Sequence, residues 1–256
     1  MGGIQSMNHN KFILSPIKDI LVDVTSACIG IGSGVETYPL CDYVMQSALL
    51  KMTGAQEQKM KCICWELATN DYEYRYQRFN LNPFGECSNY QEKKEIYKDL
   101  VKQIEKHSEL RFEDGLMENS IILQDTNHTI ISSFENTNLL VWAKKYYFEY
   151  ESIWSKITEK YFANKENLFV NKRNIGNDIE VDLVDMYDYL YKHRNRVAHN
   201  TLSYQQNLPT LKTLLNENYQ YENYFIYFSM LVLIDNIFIS LYEHYLKAMN
   251  QLGQNM

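Results

Sequence analysis

Apolar residues recur along most of this chain at intervals of three and four, the period of a helix buried on one side. Ile17, Ile20, Leu21, Val24 and Cys28 form one such face, with Ser15-Pro16 placed as cap and first-turn proline. A second helix starts at Tyr38-Pro39 and runs to about Met52, where Thr53-Gly54 predicts a break. A third covers Ala55 to about Tyr76, so the two read as an antiparallel hairpin. Asn80–Ser88 is a loop, and Gln91–His107 is a charged amphipathic helix with Ile96, Leu100, Val101 and Ile104 inward.

Residues 108–136 carry the weakest period. Ile121–Leu123 and Ile130-Ile131, on either side of Asp125-Thr126-Asn127, fit a small β-hairpin near 120–132 and equally fit an ordered loop. Asn136 or Thr137 then caps an aromatic-rich helix to about Phe162, followed by a loop over 163–177. A further helix starts near Asp178, capped by Asn177 or Asp178, with Ile179, Leu183, Met186, Tyr187 and Leu190 on its apolar face. After a loop over 201–208 and a short helix at Pro209, a last helix spans about Glu222–Met249. Its length suits a membrane span. Asp235 and Asn236 stand in its middle, however, and no Lys/Arg pair flanks it, so a core or dimer-interface helix is expected. The class is all-α. A helical region over 1–110 packs on, or is part of, the same domain as a second region over 111–256.

Composition supports helices: 45% of the 256 residues are apolar, and there are only 10 Gly and 4 Pro. The net charge of −7 excludes a generally basic nucleic-acid binder, so any polyanion site must be a local patch. Five Cys without a secretory signal point to a reduced, cytoplasmic protein. Cys62-x-Cys64 has no second pair at finger spacing, which argues against zinc. Gly30, Gly32 and Gly34 suggest a phosphate loop only superficially, because no strand precedes them and no Gly-Lys-Ser/Thr follows. A helix stop is the better reading.

The chemistry concentrates at Tyr187–Asn200, YDYLYKHRNRVAHN. Asn195 and His199 are four apart, about 40° on a helix, and share a face, whereas Arg194 and His199 are separated by about 140°. His199 titrates near neutrality and suits proton transfer, and Arg194 is a permanent planar cation suited to phosphate oxygens. Asn195 can orient the imidazole or hold a phosphate. Lys192, His193, Arg196 and Asn200 are the RNA-contact candidates, with Lys172 and Arg173 adding charge nearby.

The spacing Arg194-Asn195-Arg196-Val197-Ala198-His199 resembles the signature of the HEPN superfamily (higher eukaryotes and prokaryotes nucleotide-binding domains). The match is strong over these six residues and loose over the helical context of the second half of the chain. The resemblance implies a HEPN-like helical bundle, here with additional N-terminal helices. It also implies a metal-independent endoribonuclease whose catalytic residues, Arg194, Asn195 and His199, meet a second set across a homodimer. A defence, stress or toxin role and an inhibitory or activating protein partner follow from the same resemblance. No cofactor, metal or membrane is expected. Two other readings compete: a non-catalytic HEPN-like module that binds RNA, nucleotide or a partner, and an all-α scaffold in which Arg194 and His199 tie helix ends together.

Overall fold

The computed structural model describes residues 9–32, 34–112, 115–170, 181–199 and 223–254. Helices dominate it: α1 (His9–Leu14), α2 (Lys18–Ala27), α3 (Tyr38–Asn70), α4 (Tyr72–Tyr76), α5 (Tyr90–His107), α6 (Asn119–Phe134), α7 (Leu139–Trp154), α8 (Leu183–His199) and α9 (Tyr224–Gln254). The class is all-α, with one two-stranded hairpin, β1 (Phe162–Asn164) and β2 (Asn167–Phe169).

The last helix is the centre of the bundle. α9 packs against α3, α5, α6, α7 and α8, and one continuous core runs from Ile13 to Tyr245. By length and composition Tyr224–Gln251 could cross a membrane, yet 78% of its most apolar window is buried inside the protein. The two polar residues in its middle explain the arrangement, because each is bonded to another helix. Asp235 takes the ammonium of Lys59 on α3 at 2.7 Å and the backbone N–H of Ile17 at 2.8 Å. The Asn236 amide donates to Asp125 and Thr126 on α6.

Several sequence expectations need correction. Thr53-Gly54 does not break a helix: α3 runs unbroken for 33 residues, about 50 Å. Leu49, Met52, Gln56, Met60, Ile63 and Leu67 keep one buried face going through the glycine. Burial on both sides outweighs the ~1 kcal/mol that a mid-helix Gly costs. No hairpin forms near 120–132. That segment is α6, in which Ile122, Thr126, Thr129, Ile130 and Ser133 bury at helical spacing. The Thr126 hydroxyl returns to the Ile122 carbonyl at 2.7 Å, so a would-be turn residue satisfies itself within the helix. His128, just after the expected turn, lies on an exposed face of α6.

The hairpin lies instead where a loop was expected. Phe162 pairs with Phe169 and Asn164 with Asn167, while the Asn164 side chain accepts the N–H groups of Glu166 and Asn167 to close the turn. Both Phe rings are buried, and the Tyr90 and Tyr97 hydroxyls of α5 hold the hairpin backbone. α7 accordingly stops at Trp154 instead of Phe162. Ser15 is not a cap either, since its N–H and hydroxyl return to α1, at Lys11 and Phe12. α5 matches its expectation closely, with Asn89 capping the N–H of Glu92. The expected cap at Asn177 or Asp178, and the loop and short helix over 201–221, lie outside the described residues.

Candidate functional site

α8 begins at Leu183, with the Asp182 carboxylate accepting the N–H groups of Val184 and Asp185 in the manner of a cap. Leu183, Met186, Tyr187 and Leu190 are buried, as their spacing predicts, and dock the helix on α3 and α5. The helix continues through His199, so Arg194 and Asn195 lie within regular helix about one turn before its end. Asn200 and the side chain of His199 lie outside the described residues, as do Lys172 and Arg173.

Arg194 is the best-anchored member. One arm of its guanidinium donates to the Asn195 side-chain oxygen at 3.0 Å. The other arm meets both carboxylate oxygens of Glu57 on α3, at 3.0 and 3.1 Å. The pair is partly sheltered, with 24% of the Arg194 side chain and 13% of the Glu57 side chain exposed. The buried Nε of Arg194 has no partner among the described residues.

Behind Arg194, a small recess is lined by Gln56, Glu57, Lys93, Tyr187 and Ser88. Its free space of about 10 Å³ holds at most one water, so an incoming phosphate would have to reach Arg194 from the outer side. Lys93 is fully buried there and donates to the Cys87 carbonyl at 2.6 Å. Burial, aided by the Arg194 charge and opposed by Glu57, pulls its pKa down to about 8. The Tyr187 hydroxyl donates to the Ser88 carbonyl at 2.7 Å, and burial pushes its pKa well up.

Lys93 makes stability depend on pH. Its folded pKa lies below the ordinary value near 10.5, so between about pH 8 and 10.5 the unfolded chain binds more protons and stability rises with pH. Below about pH 8 the penalty is fully present. Relative to a Lys93→Met variant, the wild type is expected to gain about 1 kcal/mol per pH unit from about pH 8 to 9.5 in urea unfolding. Parallel profiles for the two proteins would show that Lys93 does not titrate in this range.

The remaining candidates divide between core and surface. His193 is half-buried against α9, with its ring 5.1 Å from that of Tyr227 and 5.3 Å from that of Tyr224. Arg196 donates to His193 Nδ1 at 3.2 Å, which puts the ring proton on Nε2, 3.0 Å from the Tyr224 hydroxyl. His193 therefore joins α8 to α9 and presents neither ring nitrogen to a ligand. Lys192 is exposed, its ammonium 5.6 Å from the centre of the Tyr189 ring. Two further cations, Lys144 and Lys145 on α7, are placed one over Phe148 and the other beside Glu149.

Glu57, Gln56 and Lys93 were not singled out in the sequence. Lys93 carries a readable signal, since it falls on the inward face of α5 with Ile96, Tyr97, Leu100 and Ile104. Glu57 does not, because its partner is 137 residues away. Among the described residues no three His, Cys, Asp or Glu side chains converge as metal ligands would. The chain matches no family model, and no curated protein or solved structure matches it.

Proposed function

We propose that this protein is a metal-independent endoribonuclease that works as a homodimer. The observation that carries the reading is the Arg194–Asn195 pair, hydrogen-bonded about one turn before the end of α8, with His199 one turn beyond Asn195 in the same helix. In the reaction the 2′-oxygen bonds to phosphorus as its proton leaves, and the bond to the 5′-oxygen breaks as that oxygen takes a proton. The products are a 2′,3′-cyclic phosphate and a free 5′-hydroxyl. His199 moves a proton, Arg194 holds the charge that builds on the phosphorane, and Asn195 orients the imidazole or the phosphate. Arg194 and His199 are about 140° apart on one helix, so the arrangement works best when each His acts beside the partner subunit's guanidinium. A defence, stress or toxin role, with a protein partner that restrains or activates the enzyme, fits this chemistry on a chain of net charge −7.

The Glu57–Arg194 ion pair favours a second reading, a HEPN-like module that binds RNA, nucleotide or a partner without cutting. A carboxylate offsets the charge that catalysis would use, and the pair also serves to lock α8 to α3. The deciding experiment incubates purified protein with a labelled RNA mixture in excess EDTA. Fragments ending in 2′,3′-cyclic phosphate support the nuclease reading. Binding without any cleavage, over a range of RNAs, supports the second.

A further inference from the structure

Glu57, Lys61, Trp65 and Thr69 follow one another every fourth residue along α3, so they form a single stripe drifting about 40° per step. At one end Glu57 holds Arg194. About 12 Å further along the axis the stripe opens into a cleft of about 210 Å³. Trp65, Thr69, Arg75, Phe79 and Asn80 line it.

Two features set this cleft apart from ordinary surface. Trp65 and Phe79 are 54% and 47% exposed, yet their rings are held edge to face, 6.4 Å apart at 76°. Phe79 belongs to Gln77–Leu81, a π-helical turn, a rare form that is frequent at functional sites. The second feature is charge. Arg75 is the only ionised side chain lining the cleft, and its guanidinium makes no hydrogen bond or ion pair among the described residues. No acid among the described residues lines the cleft to neutralise it.

An exposed indole, a neighbouring ring, a guanidinium without a partner among the described residues and a side-chain amide are the parts that recognise an unpaired base and its phosphate. The rings stack, the cation meets the backbone, and the amide reads a base edge. We propose that the Trp65–Phe79 cleft binds an unpaired nucleobase of a single-stranded nucleic acid, with Arg75 on the adjacent phosphate. Lys61, whose partner Glu86 is itself 78% exposed, continues the strand along α3 toward Arg194. That direction rests on the ribonuclease reading, whereas base binding in the cleft does not.

The test measures fluorescence anisotropy of a labelled 12-nucleotide single-stranded RNA at fixed salt, using the full chain with His199→Ala so that the probe stays intact. Trp65→Ala and Phe79→Ala are each expected to weaken binding roughly tenfold. Arg75→Ala should weaken it and flatten the salt dependence. Trp65→Phe, which keeps a stacking face, should recover most of the affinity, and a duplex of the same sequence should bind less well. The inference is overturned if the three alanine variants bind like their parent, if the duplex competes equally, or if no single strand binds at all. A dimer that dissociates on Trp65→Ala while RNA binding is unchanged would also overturn it, by assigning the cleft to a second copy. Cleft-dependent binding without cleavage by the wild type would leave this inference standing and remove the nuclease. Cleavage with cleft-independent binding would do the reverse.

Discussion

Replacing His199 by alanine is expected to lower RNA cleavage by roughly 10²–10⁴-fold, the usual contribution of a positioned acid or base. The melting temperature should stay where it is. Arg194→Ala is expected to behave differently, because its guanidinium has two tasks. Loss of the phosphorane's cation should cost about 10²–10³ in rate. Loss of the Glu57 partner should cost stability as well, since a carboxylate only 13% exposed is left without its cation. The geometry lies between a buried pair and a surface pair, and Lys93 still offers Glu57 a positive neighbour, so about 1–2 kcal/mol is expected. Cleavage rates and thermal melts of both variants, measured on the same preparations, separate the readings. If both variants melt early and keep their activity per folded molecule, the two residues are structural and the assignment of the active site to them fails.

The largest stability effect should come from a site remote from this chemistry. Lys59 and Asp235 form an ion pair at 2.7 Å with each side chain only 2% exposed. Burial drives the lysine pKa down and the aspartate pKa up, so the interior resists both charges and their mutual attraction holds them there. Lys59→Ala would leave the Asp235 carboxyl buried without its cation, with the Ile17 N–H as its remaining partner, at a cost of roughly 3–5 kcal/mol. That is a large part of a typical domain's whole margin. The double change Lys59→Met with Asp235→Leu should recover most of the loss, because two apolar side chains need no pairing. It should not recover all of it, since Ile17 then keeps a buried donor without an acceptor, worth about 1–3 kcal/mol. Urea unfolding of the three proteins gives the answer. An unchanged midpoint for Lys59→Ala would mean that the pair does not carry this load.

Helical class was legible because burial follows period: the inward faces of α5 and α8 are those that the spacing of Ile, Leu, Met and Tyr marks out, and the nearly all-apolar α9 is buried nearly all round. The errors share one physical cause. Residues that read as punctuation on their own are satisfied here within a helix or by a bond to another helix. Asp125 looks like a turn former, but in α6 it takes the Lys18 ammonium and the Asn236 amide. Thr53 looks like a helix end, yet its hydroxyl bonds back to Leu49 and the helix goes on. The candidate site divides in the same way. The spacing of Arg194, Asn195 and His199 is local and was visible in sequence. The carboxylate that holds Arg194 comes from a helix in the other half of the chain, and no local pattern encodes it.

The Lys59–Asp235–Ile17 junction also bears on how the molecule is made. Asp235 lies 176 residues after Lys59 and 218 after Ile17. A chain growing from its N-terminus produces both of their faces long before the carboxylate that joins them. Gln56 waits in the same way, because its amide donates to the Leu231 carbonyl of the same late helix. Until α9 arrives, the early helices carry an apolar trough with a bare ammonium at its floor, a surface prone to wrong association. Closure of that trough is a contact of very high sequence separation, and such contacts slow folding. Native structure in this protein should therefore appear late and all at once, when the last helix drops into place.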